Sequence, residues 1–154
     1  MIKITDNGKY LQYSLIDKPK KCRLECSHQS DIIGLIRKYF PNEAELTFHP
    51  TNEGKHTAWH RDKQIKEGML KGASDIICLA PGEKHTAFVC ELKQPKLTHC
   101  SVSKEQRRFL ELSNHAGHFS CVAFGATAAW HAWLDYHGIG HDDQLRREAD
   151  HLIK

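Results

Sequence analysis

Two short apolar runs divided by a proline–glycine turn constrain this chain more than any other feature. Asp75-Ile-Ile-Cys-Leu-Ala80 stops at Pro81-Gly82, and Thr86 to Lys93, with Ala87-Phe-Val-Cys-Glu-Leu-Lys93 at its heart, stops before Pro95. Short runs rich in β-branched and aromatic residues and bounded by turn formers are strands. The Pro81–His85 linker is short enough to fold them back as an antiparallel hairpin. Side chains alternate faces along a strand. Phe88, Cys90 and Leu92 therefore share one face, and Glu91 and Lys93 share the other. Asp75 opens the partner strand and can reach the same point.

The rest of the chain supplies helices to cover such a pair. Ser27 to Phe40 carries an apolar stripe (Ile32, Ile33, Leu35, Ile36, Tyr39, Phe40) at helical spacing, and Pro41 is expected to end it. A start a few residues earlier would bring Glu25 onto the first turn. Leu46–His49 reads as a strand and Ala58–Glu67 as a helix closing at Gly68. Ser103 opens a helix ending near Gly117, His118–Phe124 is a third strand, Ala126–Tyr136 a helix, and Gln144–Ile153 a last one. At the front, Asp6-Asn7-Gly8 is a two-residue hairpin signal between Met1–Thr5 and Lys9–Ile16. The order implies an α/β fold, a mixed central β-sheet flanked by helices. A chain of 154 residues is expected to form a single domain over 1–154, with residues 1–21 as an N-terminal hairpin extension and 139–154 as a C-terminal helix.

Two carboxylates beside an ammonium suit a hard divalent cation. Mg²⁺ is held by one or two carboxylates together with water and substrate phosphates. On its own Glu-x-Lys is an ordinary solvated surface pair. Here it ends a buried strand, follows the Gly72-Ala73-Ser74-Asp75 turn, and precedes a basic helix. Asp75, Glu91 and Lys93 are therefore expected to meet around a cation at a solvent-accessible edge.

Composition narrows the alternatives. The formal net charge is +3, which permits a polyanionic partner without requiring one. Lys18, Lys20, Lys21 and Arg23 cluster near the start. Lys104, Arg107 and Arg108 recur on one expected helix as candidate phosphate contacts. No apolar run approaches the roughly 20 residues that span a bilayer, and Met1–Lys21 lacks the pattern of a signal peptide, so a cytoplasmic location is expected. Of the six cysteines, Cys78, Cys90 and Cys121 sit in apolar runs as small hydrophobes. Cys22, Cys26 and His28, or His99 and Cys100, offer only part of a zinc pattern. Trp59, Trp130 and Trp133 are expected in the core. Among 12 histidines, His49, His56 and His60 precede the candidate site without one standing out.

Taken together, Gly72-Ala73-Ser74-Asp75, Glu91-Leu92-Lys93 and Ser103-Lys104-Glu105-Gln106 resemble the virus-type replication-repair nuclease (VRR-NUC) domain of the PD-(D/E)XK superfamily. Glu25-x₃-Gln29 looks like that family's first-helix motif and His49-Pro50-Thr51-Asn52-Glu53-Gly54 like its hxPNxG loop. Ala116-Gly117-His118 through Gly125-Ala126 is similar to its closing strand and helix. Ala73-Ser74 replaces the Val-Pro of many members, and Thr51 separates the Pro-Asn pair. The resemblance implies a restriction-endonuclease-like core and a catalytic set of Glu25, Asp75, Glu91, Lys93 and Gln106. Asp75, Glu91 and the Leu92 backbone carbonyl would hold Mg²⁺ or Mn²⁺. It implies an endodeoxyribonuclease that hydrolyses phosphodiester bonds, selects branched DNA such as Holliday junctions, serves repair, and acts as a homodimer. The rivals are a catalytically silent nucleic-acid-binding module on the same fold, a sequence-specific restriction-type nuclease, and a zinc-stabilised interaction protein.

Overall fold

A computed structural model describes residues 1–17, 19, 23–50, 57–95 and 101–153. Lys18, Lys20, Lys21, Cys22, His56, His99, Cys100 and most of the loop after Pro50 lie outside the described residues. In chain order the elements are β1 (Ile2–Asp6), β2 (Leu11–Leu15), α1 (Glu25–Tyr39), α2 (Pro41–Ala44), β3 (Thr47–Phe48) and α3 (Ala58–Lys66). There follow β4 (Ile76–Cys78), β5 (Phe88–Lys93), α4 (Lys104–His115), β6 (Phe119–Phe124), α5 (Ala126–Tyr136) and a 3₁₀ helix over Gln144–Ile153.

The strands form one six-stranded mixed sheet in the order β1-β2-β6-β5-β4-β3. β4 and β5 pair antiparallel, Ile76 opposite Cys90 and Cys78 opposite Phe88. β6 lies parallel to β5, Cys121 opposite Cys90, and also parallel to β2. β5 is thus interior to the sheet and covered on both faces. Phe88, Cys90 and Leu92 join Ile76, α1 residues Ile32 and Ile36, and α5 residues Trp130, Trp133 and Leu134 in the larger core cluster. On the reverse face Val89 meets Val122, Tyr10 and Leu110 of α4. The expected alternation is realised, and the polar pair Glu91 and Lys93 belongs to the α4 face. Nine of the 11 residues of α5 are buried, which its nearly uniform apolar and small composition permits.

Several local expectations are corrected. The first hairpin turns through residues 7–10, because Asp6 pairs with Leu11. Short side chains take over the turn: Asp6 Oδ1 accepts from Gly8 N at 2.8 Å, and Asn7 Oδ1 accepts from Lys9 N and Tyr10 N, each at 3.0 Å. Pro41 does not only end a helix; it begins α2, where its missing N–H and fixed φ suit the first helical position. The last helix is 3₁₀ rather than α. Its Arg146 donates to the carbonyls of Gly140 (2.9 Å) and Ile139 and to Asp135 Oδ1 (2.6 Å). Trp59 is 68% exposed, whereas Trp130 and Trp133 are fully buried as expected. Among the described residues no helix is long and apolar enough to cross a membrane.

Candidate active site

The turn before β4 is set by one close approach. Gly72 (φ +86°) lies against the first turn of α4, where an added Cβ would stand 2.6 Å from the Glu105 carbonyl carbon and 2.8 Å from Gln106 N. No side chain fits there. The next residues bring Asp75 to the end of β4, half-buried. Its Oδ2 accepts from Leu92 N at 2.8 Å, which fixes the carboxylate against β5. The Lys93 carbonyl accepts from Gly125 N on the β6 side (2.8 Å). Successive carbonyls along a strand point to opposite edges, so that of Leu92 turns toward β4 and Asp75.

Glu91 is fully buried and Lys93 is 9% exposed, which corrects the expectation of an accessible edge. Burial follows from the central place of β5 and the cover of α4. Asp75 and Glu25 beside it are half-buried. Lys93 Nζ donates to Glu91 Oε1 at 2.7 Å. Gln106 Nε2 donates to the same oxygen. The Gln106 side chain is itself anchored by a capping box: its Oε1 accepts from Ser103 N at 2.8 Å, and Ser103 Oγ accepts from Gln106 N at 3.1 Å. The helix cap therefore also aims the amide at Glu91. Glu25 is the first residue of α1, and its charge helps raise the Lys93 ammonium. The structure brings Asp75, Glu91, Lys93 and Gln106 together, with Glu25 within electrostatic reach of Lys93.

The electrostatics are those of a site short of positive charge. Burial, then the charge of Asp75, pushes the Glu91 carboxyl up to about 8 against the pull of Lys93. Burial alone would lower the Lys93 ammonium, but the hydrogen bond and charge of Glu91, with Glu25 and Asp75, raise it. Glu91 Oε2 is buried with no hydrogen-bond partner, a costly state for a carboxylate oxygen. Among the described residues no three His, Cys, Asp or Glu side chains are gathered to hold a metal by themselves. Two carboxylates and a backbone carbonyl nonetheless match the sparse protein share of a Mg²⁺ shell, and the orphaned Glu91 oxygen fits that role.

Two residues gain roles that the sequence reading did not assign. Gln29 Nε2 (3.1 Å) and His49 Nδ1 (2.6 Å) both contact the Asp75 carbonyl oxygen. A carbonyl only accepts, so His49 carries its proton on Nδ1. The coincidence needs the fold, since Gln29 and His49 stand 46 and 26 residues from Asp75. Lys104, Arg107 and Arg108 lie exposed on α4, outward from Gln106. His28 is buried and its Nδ1 accepts from Ala126 N at 3.4 Å, while Cys26 is exposed. The two therefore do not converge as zinc ligands.

A solved structure described as a "VRR_NUC domain protein" has a similar fold. Its TM-score is 0.65, with 78% of this chain and 93% of that chain covered, at 15% sequence identity. No protein-family profile and no curated protein matches the sequence. The likeness is one of fold: a mixed sheet flanked by helices, of the kind the sequence resemblance implied.

Proposed function

We propose that this chain uses its VRR_NUC-type fold as a divalent-cation-dependent DNA endonuclease, hydrolysing phosphodiester bonds with Asp75, Glu91 and Lys93 at the reactive centre. The observation that carries this reading is the buried Glu91 Oε2, which no donor satisfies and which sits against the Asp75 carboxylate, whose charge and hydrogen bond both raise the Glu91 carboxyl. Such an arrangement is unfavourable on its own and favourable around a cation. Asp75, Glu91 and the Leu92 carbonyl would hold Mg²⁺ or Mn²⁺, which supplies Lewis-acid activation of water and of the phosphoryl oxygen.

The chain's own residues do the rest. Lys93 keeps a full positive charge at the centre and offers its ammonium to the negative charge that develops on the phosphate. Gln106 holds Glu91 Oε1 from the α4 side, leaving Oε2 as the free oxygen. Glu25, half-buried at the start of α1, would orient water, and Gln29 and His49 fix the Asp75 backbone. Lys104, Arg107 and Arg108 give α4 a basic exposed face for backbone phosphates, which position DNA without reading its sequence. Among the described residues no helix-turn-helix or zinc finger is formed to read base edges. Selectivity therefore rests on shape, with branched DNA such as a Holliday junction as substrate and a two-fold homodimer placing two centres on two strands.

The test is cleavage of labelled linear duplex, flap and four-way junction DNA by wild type, Asp75→Ala and Lys93→Ala, with Mg²⁺, with Mn²⁺ and with chelator. Wild type should cut branched DNA fastest and only with cation, and each substitution should cost at least about 100-fold, as loss of one transition-state stabiliser does. Cleavage that survives both substitutions would sink the assignment of the centre.

A further inference from the structure

α3 is an element without the usual reason to exist. It has nine residues, none of them buried, and a helix this short is marginal in water on its own. Thr57 caps it by accepting from His60 N at 3.3 Å, which alone does not explain an exposed apolar surface. Trp59 is 68%, Ile65 50% and Leu70 57% exposed. Trp59, Asp62, Lys63 and Lys66 fall at i, i+3, i+4 and i+7, hence on one face. Lys63 Nζ hovers 5.9 Å from the Trp59 ring centroid. Over residues 57–71 four cations (Arg61, Lys63, Lys66, Lys71) stand against two carboxylates, Asp62 and Glu67. The Lys63–Glu67 pair at 3.7 Å is more than half exposed on both sides, a weak contact that a phosphate can replace.

The far end of α3 is tied to the candidate site. Lys71 pairs with Glu105 of α4 at 3.2 Å, and Gly72 is seated on Glu105 and Gln106, the residue that holds Glu91. Along the helix axis Trp59 stands about 10 Å beyond Lys66, roughly three base steps of B-form DNA. An aromatic face flanked by ammonium groups is the chemistry that binds an unpaired nucleotide: the base stacks and the cations take the phosphates. Paired bases within a duplex hide their faces in the stack and cannot use it.

We infer that the exposed face of α3 is a second nucleic-acid contact, in which Trp59 stacks on an unpaired base and Lys63 and Lys66 hold the adjoining phosphates, so that the nuclease recognises unstacked nucleotides next to the cut. This rests on the nuclease reading only for the word cut; the contact itself is a binding site. Trp59 is a specificity residue, remote from the reacting atoms.

The experiment measures binding in chelator, where no hydrolysis occurs. Fluorescence anisotropy compares a labelled blunt duplex with the same duplex carrying a short single-stranded thymine tail, for wild type, Trp59→Ala, Trp59→Phe and Lys63→Gln/Lys66→Gln. Wild type should prefer the tailed duplex by about 10-fold, in the range of one stacked base. Trp59→Ala should remove that preference, Trp59→Phe should keep most of it, and the double lysine variant should weaken the tailed duplex more than the blunt one. Because Trp130 and Trp133 are fully buried, quenching of tryptophan fluorescence by the tail should come from Trp59 and vanish in Trp59→Phe. An undiminished preference in Trp59→Ala, no preference in wild type, or a change of oligomeric state in Trp59→Ala each overturns the inference, the last by assigning the face to a second copy. A preference that persists in a protein with no cleavage under Mg²⁺ or Mn²⁺ would defeat the nuclease reading and leave this contact standing.

Discussion

At the scale of single residues, Glu91 gives the most direct prediction. Its carboxyl is pushed up from the ordinary carboxylate value of 4.5 to about 8 on folding, through burial and then the charge of Asp75. A group whose folded value is raised binds a proton in the native state that the unfolded state has already lost. Its contribution to stability is therefore complete below the unfolded value and disappears as pH rises through the folded one. Cation-free wild type should lose melting temperature between about pH 5 and about pH 9, whereas Glu91→Gln, with no proton to surrender, should fall less. The gap between the two should widen with pH, by an amount on the order of a few kcal/mol at the alkaline end. Parallel thermal melts in chelator decide it, and identical pH profiles would remove Glu91 as a strained acid. The same substitution should abolish cleavage, a trade of activity for stability expected where a site is built against folding.

At the scale of elements, the turn from Gly72 to Asp75 couples α4 to the carboxylates. Gly72 combines a positive φ with backbone of α4 at 2.6 Å from where a Cβ would sit. Gly72→Ala must therefore shift either the turn or the first turn of α4, which carries Gln106. A loss of about 1–3 kcal/mol is expected from backbone strain and overpacking together. Activity should fall further than stability does, since Asp75 and Gln106 are both displaced. Urea unfolding beside cleavage rates separates the two effects; a variant of native stability and rate would show that the approach is not constraining.

At the scale of the whole molecule, the site is a junction of three sheet and helix layers, so a ligand there should stabilise everything. A cation that binds only the folded chain at about 100 times its Kd adds about 2.7 kcal/mol. For a domain near this size that is about 2–4 °C in Tm per kcal/mol. Mn²⁺ should raise the melting temperature of wild type by several degrees and leave that of Asp75→Ala unmoved. An equal rise in both would place the cation elsewhere. The binding should strengthen as pH approaches 8, because Glu91 must release its proton to take the ion.

The sequence by itself determined the order of the elements apart from α2, the β4–β5 pairing, and the sharing of one strand face by Glu91 and Lys93. Those properties are local: side-chain periodicity, turn chemistry and capping act over a few residues, as at Ser103, which opens α4. It also named Glu25, Asp75 and Gln106 through an ordered set of motifs rather than through spacing. Only the tertiary structure decided that the pair is sealed inside the sheet, that β6 lies parallel to both β5 and β2 and joins β5 to the first hairpin, and that Gln29 and His49 share the Asp75 carbonyl. It alone left Trp59 outside while taking the other two tryptophans in. Burial depends on which distant elements cover a face, and no window of sequence carries that information: α4 closes over Glu91, while none of the α3 residues is buried.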